Sequence, residues 1–227
     1  MTDDTPFTAA DLTPVIEAGG ILIKRDDVFE KGGGRGGKVR SCWILAQGAK
    51  GLVTAGSRSS PQVNIVAQIG KIMGIPVRCH TPKGELSPEV LMAQEAGAEI
   101  IQHKAGYNSV IIKRARDDAA ELGYTNIPFG METELAVQET SKQVDNLPFD
   151  RIDKIVMPVG SGMSLAGVLH GLKRNNQNIP VIGVVVGADP VKRLNKYAPE
   201  EWHEMVTLHN AGVPYDKHIG GNIEGIL

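Results

Sequence analysis

The sequence predicts an α/β fold with mostly parallel sheets, and three observations carry that expectation. Short β-branched runs alternate with segments of helical apolar spacing along most of the 227 residues. The runs are brief and apolar, which suits strands buried on both faces of a sheet. Glycine is abundant, 27 residues in all, well above the ~7% of an average chain, so turns and close backbone approaches are expected throughout.

The first predicted strand covers 21–24 and leads into the charged stretch Lys24-Arg25-Asp26-Asp27. A glycine run at 32–37 follows, and apolar spacing resumes at Trp43, Ile44 and Leu45, so a helix is expected to start near Lys38. A strand at 52–55 precedes a helix patterned by Val63, Val66, Ile69, Ile72 and Met73. After a strand at 77–80, Ser87-Pro88-Glu89 reads as N-cap, first-turn proline and first-turn acid of a helix that Gly97 ends. A strand at 99–102 leads to a stripe of Val110, Ile111, Ala115, Ala119 and Leu122, stopped by Gly123. The strand at 154–159 feeds a glycine turn and a helix carrying Leu165, Val168, Leu169 and Leu172, and a last strand covers 181–186.

Residues 51–130 hold three of these strands and three helices and are expected to form a smaller α/β domain. The flanks, 1–50 and 131–227, are expected to pair into a larger one, because a lone N-terminal strand must find a sheet. The net charge of −2 gives no basic excess for nucleic acid. No apolar run approaches the ~18–20 residues of a membrane span. The start, Met1-Thr2-Asp3-Asp4-Thr5-Pro6, lacks the layout of a signal peptide. Cys42 and Cys79 make no disulfide scaffold, so a cytoplasmic location is expected, and Cys42 reads as core rather than nucleophile. The six histidines are scattered without metal-ligand spacing, so no metal site is expected.

Two glycine loops are the candidate sites. Gly32-Gly33-Gly34-Arg35-Gly36-Gly37-Lys38 opens onto a helix N-terminus, where free N–H groups and the helix dipole suit an anion. It reads in three ways: a solvated loop, a P-loop that lacks the Ser/Thr after Lys38, or a lysine poised to form an imine with a cofactor aldehyde. In the second, Gly160-Ser161-Gly162-Met163-Ser164 joins a strand to a helix, the geometry that cradles a phosphate. It is also a partial dinucleotide fingerprint, with Asp189 as a ribose-binding acid, or a plain tight turn.

Together these segments resemble the fold-type II enzymes of pyridoxal 5′-phosphate (PLP), the tryptophan synthase β-like group. The nearest branch is that of 1-aminocyclopropane-1-carboxylate deaminase and D-cysteine desulfhydrase. Lys24-Arg25-Asp26-Asp27 resembles its K-R-[DE]-D entry, and Gly36-Gly37-Lys38-Val39-Arg40 its G-N-K-x-R. The run Gly160-Ser161-Gly162-Met163-Ser164-Leu165-Ala166-Gly167 resembles its G-S-G-G-T-x-A-G phosphate loop, and Ser57 to Gln62 stands where the family has S-N-H.

The resemblance implies two three-layer domains and a PLP-dependent lyase or deaminase acting on a small amino acid. Lys38 would form the internal aldimine, its pKa lowered by burial together with a cationic neighbour such as Arg40. Gly160, Ser161, Gly162, Met163 and Ser164 would hold the phosphate, while Ser59, Ser60 and Gln62 would receive the substrate. Ser60 maps to a serine implicated in substrate activation; its other reading is a helix N-cap.

Departures accompany the resemblance. Pro61 stands at the family's ring-contacting asparagine, leaving Gln62 or Asn64 as substitutes; Gly37 replaces the asparagine before the lysine; Met163 narrows the phosphate turn. Tyr215 lies near the family's active-site tyrosine, or is a surface residue. Residues 218–227 resemble the approach to E-G-[IL]-x-L-D-P-x-Y-x-x-K and stop within it, so the larger domain is expected to lack its C-terminal segment. The alternatives are an inactive member serving as a binding or assembly module and a nucleotide-binding protein. A homodimer or a complementing chain is the expected macromolecular partner.

Overall fold

The computed structural model describes residues 12–57, 60–104, 107–186 and 189–212. It opens with a hairpin, β1 (Val15–Ala18) and β2 (Ile21–Lys24), then a smaller one, β3 (Glu30–Lys31) and β4 (Gly34–Arg35), then α1 (Gly37–Leu45). The next segment runs β5 (Leu52–Ala55), α2 (Gln62–Met73), β6 (Val77–Pro82), α3 (Pro88–Glu95), β7 (Glu99–His103), α4 (Asn108–Leu122) and β8 (Thr125–Ile127). A 3₁₀ turn, Phe129–Met131, leads to α5 (Glu134–Lys142), β9 (Ile155–Val159), α6 (Met163–Arg174), β10 (Val181–Val185), α7 (Val191–Tyr197), α8 (Trp202–Met205) and β11 (Val206–Asn210).

The strands form two parallel sheets, in the orders β7-β6-β5-β8 and β11-β10-β9. In the first, β5 is central: Thr54 pairs with Cys79 on one side and Ile127 on the other. Helix α2 packs against β5 and β6, with α1 and α3 beside it, and α4 packs against β5, β6 and β8. Val53 and Ala55 meet Ile111, Ala115 and Ala119 of α4, while Leu52 points into the cluster of Val63, Val66 and Ile69. All four residues of β5 are buried, as the apolar run predicts. Around the second sheet, Leu165, Leu169 and Leu172 of α6 join Val159, Val181, Leu194 and Trp202 in a separate core.

Four sequence expectations need correction. Segment 51–130 holds a fourth strand, β8, whose Thr-Asn-Ile is too short to show a period and exists through its ladder to β5. Strand β11 is hidden in the sequence for a related reason, its polar Thr207, His209 and Asn210 breaking the apolar run. Strand β9 is not buried on both faces: it alternates, and Val156 is 52% exposed. The N-terminal strand joins neither parallel sheet but pairs antiparallel with β1 across Gly19-Gly20. Both glycines have positive φ, +59° and +79°, the requirement of a type I′ turn. The hairpin is tied down from inside: Lys24 Nζ donates to Thr13 O and Asn146 Oδ1, both at 2.7 Å.

Outside the two cores, a polar chain crosses β6, β7 and α4. Arg114 Nη1 lies 2.8 Å from His103 Nδ1, His103 Nε2 lies 2.8 Å from His80 Nδ1, and His80 Nε2 lies 2.8 Å from Asp118 Oδ2. Arg78 Nε donates to the same Asp118 oxygen at 2.7 Å. One protonation pattern satisfies every link: two neutral imidazoles, each donating from Nε2 and accepting at Nδ1, with Asp118 ionised. No helix among the described residues is long and apolar enough to cross a membrane.

Candidate active site

Helix α1 begins one residue before Lys38 because Gly36 turns the chain into it, at φ +90° and ψ −175°, a region open to glycine. Gly37 then approaches Asp26 so closely that a Cβ there would lie 2.8 Å from Asp26 Oδ2. The Asp26 carboxylate fills space that an asparagine at 37 would need. The earlier glycines serve differently. Gly32 and Gly33, at φ +58° and +85°, are the turn of the β3–β4 hairpin, and Gly32 packs on Ile72. The whole run is therefore not an anion cradle, and the P-loop reading fails: a two-residue hairpin strand, not a buried parallel strand, precedes the loop.

Lys38 lines a cavity of about 30 Å³ with Gly37 and Ser41 of the same helix. Among the described residues, Nζ has no hydrogen-bond or ion-pair partner. Burial holds its pKa below the ordinary lysine value. Arg40 is not the cause: it is 1% exposed, pairs with Asp26 Oδ1 at 2.5 Å and lies over the Phe29 ring at 4.8 Å.

The opposite wall comes from the glycine turn after β9. Ser161, Met163 and Ser164 line the cavity. Gly162 is the N-cap of α6 at φ +91° and abuts Pro190, while Gly160 has open space around it; both shape the loop without lining the cavity. The helix starts two residues earlier than its apolar stripe suggests. Its first intrahelical bond is Ala166 N to Gly162 O at 2.9 Å, so the N–H groups of Met163, Ser164 and Leu165 stand at the free positive end of α6. Gly167, read as the close of the phosphate pattern, is instead a packing residue: a Cβ there would lie 2.5 Å from Thr140 Cβ. Asp189, the acid of the partial dinucleotide pattern, is exposed just before α7, and its Oδ1 accepts from Val191 N at 2.9 Å.

The remaining wall was not foreseen. Gly130 and Met131 of the turn before α5, and Ala136 and Thr140 of α5, complete the lining. Met131 is 2% exposed and adopts φ +55°, rare for a side chain of its size. The Gly-Met pair before a capped helix, with Thr133 Oγ1 accepting from Ala136 N at 3.1 Å, was the only local signal.

Two of the predicted substrate residues, Ser60 and Gln62, do not line this cavity. Ser60 Oγ accepts from Gln62 N at 3.3 Å, one residue ahead of the N-cap Pro61. Gln62 is 1% exposed, with its amide bonded within the protein, so it offers no free N–H to a substrate. Asn64 turns to α3, its Nδ2 3.8 Å from Met92 Sδ. Ser59 and Tyr215 lie outside the described residues. Cys42 and Cys79 are fully buried, and burial pushes both thiols up to about 12. Among the described residues, no three His, Cys, Asp or Glu side chains converge as a metal site.

Residues 5–215 match a family model described as "Pyridoxal-phosphate dependent enzyme". A Thermotoga maritima protein named "Putative 1-aminocyclopropane-1-carboxylate deaminase" is 30% identical over 183 residues, covering 73% of this chain and 58% of that protein. A Pyrococcus horikoshii protein of the same name is 28% identical over 181 residues, covering 74% and 55%. The chain thus spans little more than half the length of these relatives. The solved structure of an ACC deaminase homologue superimposes with a TM-score of 0.71 at 24% identity, covering 86% of this chain and 68% of that one. A threonine deaminase from T.th. gives 0.64 at 17%, covering 84% and 71%. At these identities the structural likeness shows a shared fold.

Proposed function

Because the chain belongs to the pyridoxal-phosphate-dependent enzyme family, with the α/β fold of its tryptophan synthase β-like group, we propose that it is a lyase or deaminase of a small amino acid that holds PLP on Lys38. One observation carries this reading: Lys38, whose Nζ has no hydrogen-bond or ion-pair partner among the described residues, and the first turn of α6 line the same cavity. An aldehyde-bearing phosphate needs both.

When bound, PLP supplies an aldehyde for an amino group and a ring that accepts the electron pair left on the amino acid's α-carbon. The chain's own residues do the rest. The depressed pKa of Lys38 enlarges its share of neutral amine, the form that attacks a carbonyl. The same Nζ then carries a proton to or from the substrate. The first-turn N–H groups of α6, with the Ser161 and Ser164 hydroxyls, receive the phosphate. The cavity is closer to the size of water than of a cofactor. Met131 and Met163, which line it, are flexible side chains whose rotation changes its volume.

As part of the same reading, residues 51–130 form the smaller domain, and 1–50 with 131–227 the larger. The two separate sheets support that division. Helix α1 touches both, packing on α2 and on α5.

The test is titration of the full chain with PLP, followed by borohydride reduction and peptide mass mapping. A visible absorbance band and a reduced adduct on Lys38, both lost in Lys38→Ala, are expected. A colourless protein with no saturable PLP binding would overturn the proposal. A second reading, PLP binding without turnover, is favoured by Pro61, which brings no polar group to the ring, and by the inward-facing Gln62. It predicts the same adduct but no release of ammonia or keto acid from any small amino acid.

A further inference from the structure

The side chain that the sequence offers to substrate is used instead to build the cavity wall. Gln62 stands at the first turn of α2 with its side chain inside the protein. Its Nε2 donates to Pro128 O at 2.8 Å and to Thr54 Oγ1 at 3.0 Å, and its Oε1 accepts from Gly130 N at 2.8 Å. The orientation has no ambiguity: Pro128 O only accepts, Gly130 N only donates, and Thr54 Oγ1 gives its own proton to Ile127 O at 3.0 Å. Both amide hydrogens and the carbonyl therefore span the turn that carries Gly130 and Met131.

That turn is strained. Gly130 and Met131 both have positive φ, +71° and +55°, and for a buried methionine such a backbone persists only where its surroundings over-determine it. Gln62 supplies the constraint on one side. On the other, Gly130 O lies 3.5 Å from Ser161 Oγ, and Arg193 Nε holds Glu132 Oε2 at 2.9 Å. Gly130, Met131 and Ser161 all line the cavity that contains Lys38.

We propose that Gln62 is a positioning residue, which holds the Gly130–Met131 wall against the glycine turn and so shapes the cofactor cavity from behind. The inference rests on the PLP reading of that cavity. It makes α2 a lever on the site: a change at the start of this helix is passed to Gly130 through one amide.

Gln62→Glu is the informative variant, because its effect should depend on pH. A protonated glutamic acid can still accept from Gly130 N and donate one proton to Pro128 O. An ionised one sets an acceptor against the Pro128 carbonyl. Buried beside that carbonyl, the new acid is expected to titrate above the usual carboxylate range. Relative to wild type at the same pH, the variant should bind PLP about tenfold more weakly at pH 8 and recover most of that loss near pH 5.5, the loss equivalent to one or two net hydrogen bonds. Gln62→Leu should be weaker at both pH values. Without cofactor, Gln62→Leu should show about tenfold faster hydrogen exchange at the Gly130 amide.

A merely structural Gln62 would lower Tm in these variants and leave their PLP affinity equal to wild type at both pH values, which would overturn the proposal. Unchanged exchange at Gly130 would overturn it as well. If wild type binds no PLP, the functional reading fails while the exchange measurement still decides the clamp. Should Gln62→Leu not fold, Thr54→Val removes the acceptor of one Gln62 N–H together with the donor to Ile127 O, and it should weaken PLP binding about threefold; no change there would count equally against the idea.

Discussion

Replacing Gly171 by alanine tests the packing that brings α5 to the cavity. Gly167 and Gly171 lie one turn apart on the face of α6 that meets α5. A Cβ at 171 would lie 2.6 Å from Ser141 O and 2.5 Å from Val144 Cγ2. Val144 Cγ2 can rotate away, but Val144 Cβ, at 2.6 Å, moves only with its backbone, and Ser141 O is backbone already held by Arg174 Nη2 at 2.8 Å. To restore ordinary contact the helices must separate by roughly 0.5–1 Å, an overpacking that costs about 1–3 kcal/mol. Alanine recovers ~1 kcal/mol of helix propensity over glycine. The net is a loss of up to about 2 kcal/mol, or a Tm lower by up to ~6 °C for a chain of this size. Calorimetry of the chain without cofactor measures this directly. Because α5 carries Ala136 and Thr140 of the cavity lining, PLP affinity should fall too. Val144→Ala in the same background should restore only part of the loss, since the carbonyl clash remains. A raised Tm, the usual result of glycine to alanine in an uncrowded helix, would refute the close approach of α5 and α6.

The polar chain across β6, β7 and α4 predicts acid lability. Burial, then His80 and Arg114, hold the His103 pKa below 6.5. Burial pushes the Asp118 carboxyl up, but hydrogen bonds from Arg78 and His80 outweigh it and hold it below 3.8. Both pKa values are depressed by folding, so the stability they contribute is complete above pH ~6.5 and is lost as pH falls, first through His103 and then, below about 4, through Asp118. Urea midpoints should decline from pH 7 to pH 5, with a shallower slope in His103→Gln; equal slopes would remove His103 from the account. For Cys42 and Cys79, whose thiols burial pushes up to about 12, iodoacetamide at pH 8 should label neither in the native chain and both in urea. Native labelling at a free-thiol rate would show that the core around α1 and β6 opens.

The predicted strands and helices were legible because their causes are local. The buried run of β5, the cap and proline at Ser87-Pro88, and the left-handed stop at Gly123 each act within a turn or two. The Gly19-Gly20 hairpin has a local cause as well, since two glycines between β-branched runs favour a type I′ turn. Strand β8 was not legible: three residues carry no period, and only pairing with β5 makes them a strand.

Site chemistry divides the same way. The sequence by itself determined that a lysine would open one helix behind a glycine and that a glycine turn would open another, because backbone conformation at those positions depends on residues beside them. Tertiary structure decided which of these groups meet. It placed Gly32 and Gly33 in a hairpin away from Lys38, enlisted Gly130 and Met131 as a wall, and turned Gln62 inward. Those outcomes depend on hydrogen bonds between segments far apart in the chain, such as Gln62 to Pro128 and Gly130. A side chain's direction follows from the partners the fold provides, and no local spacing contains them.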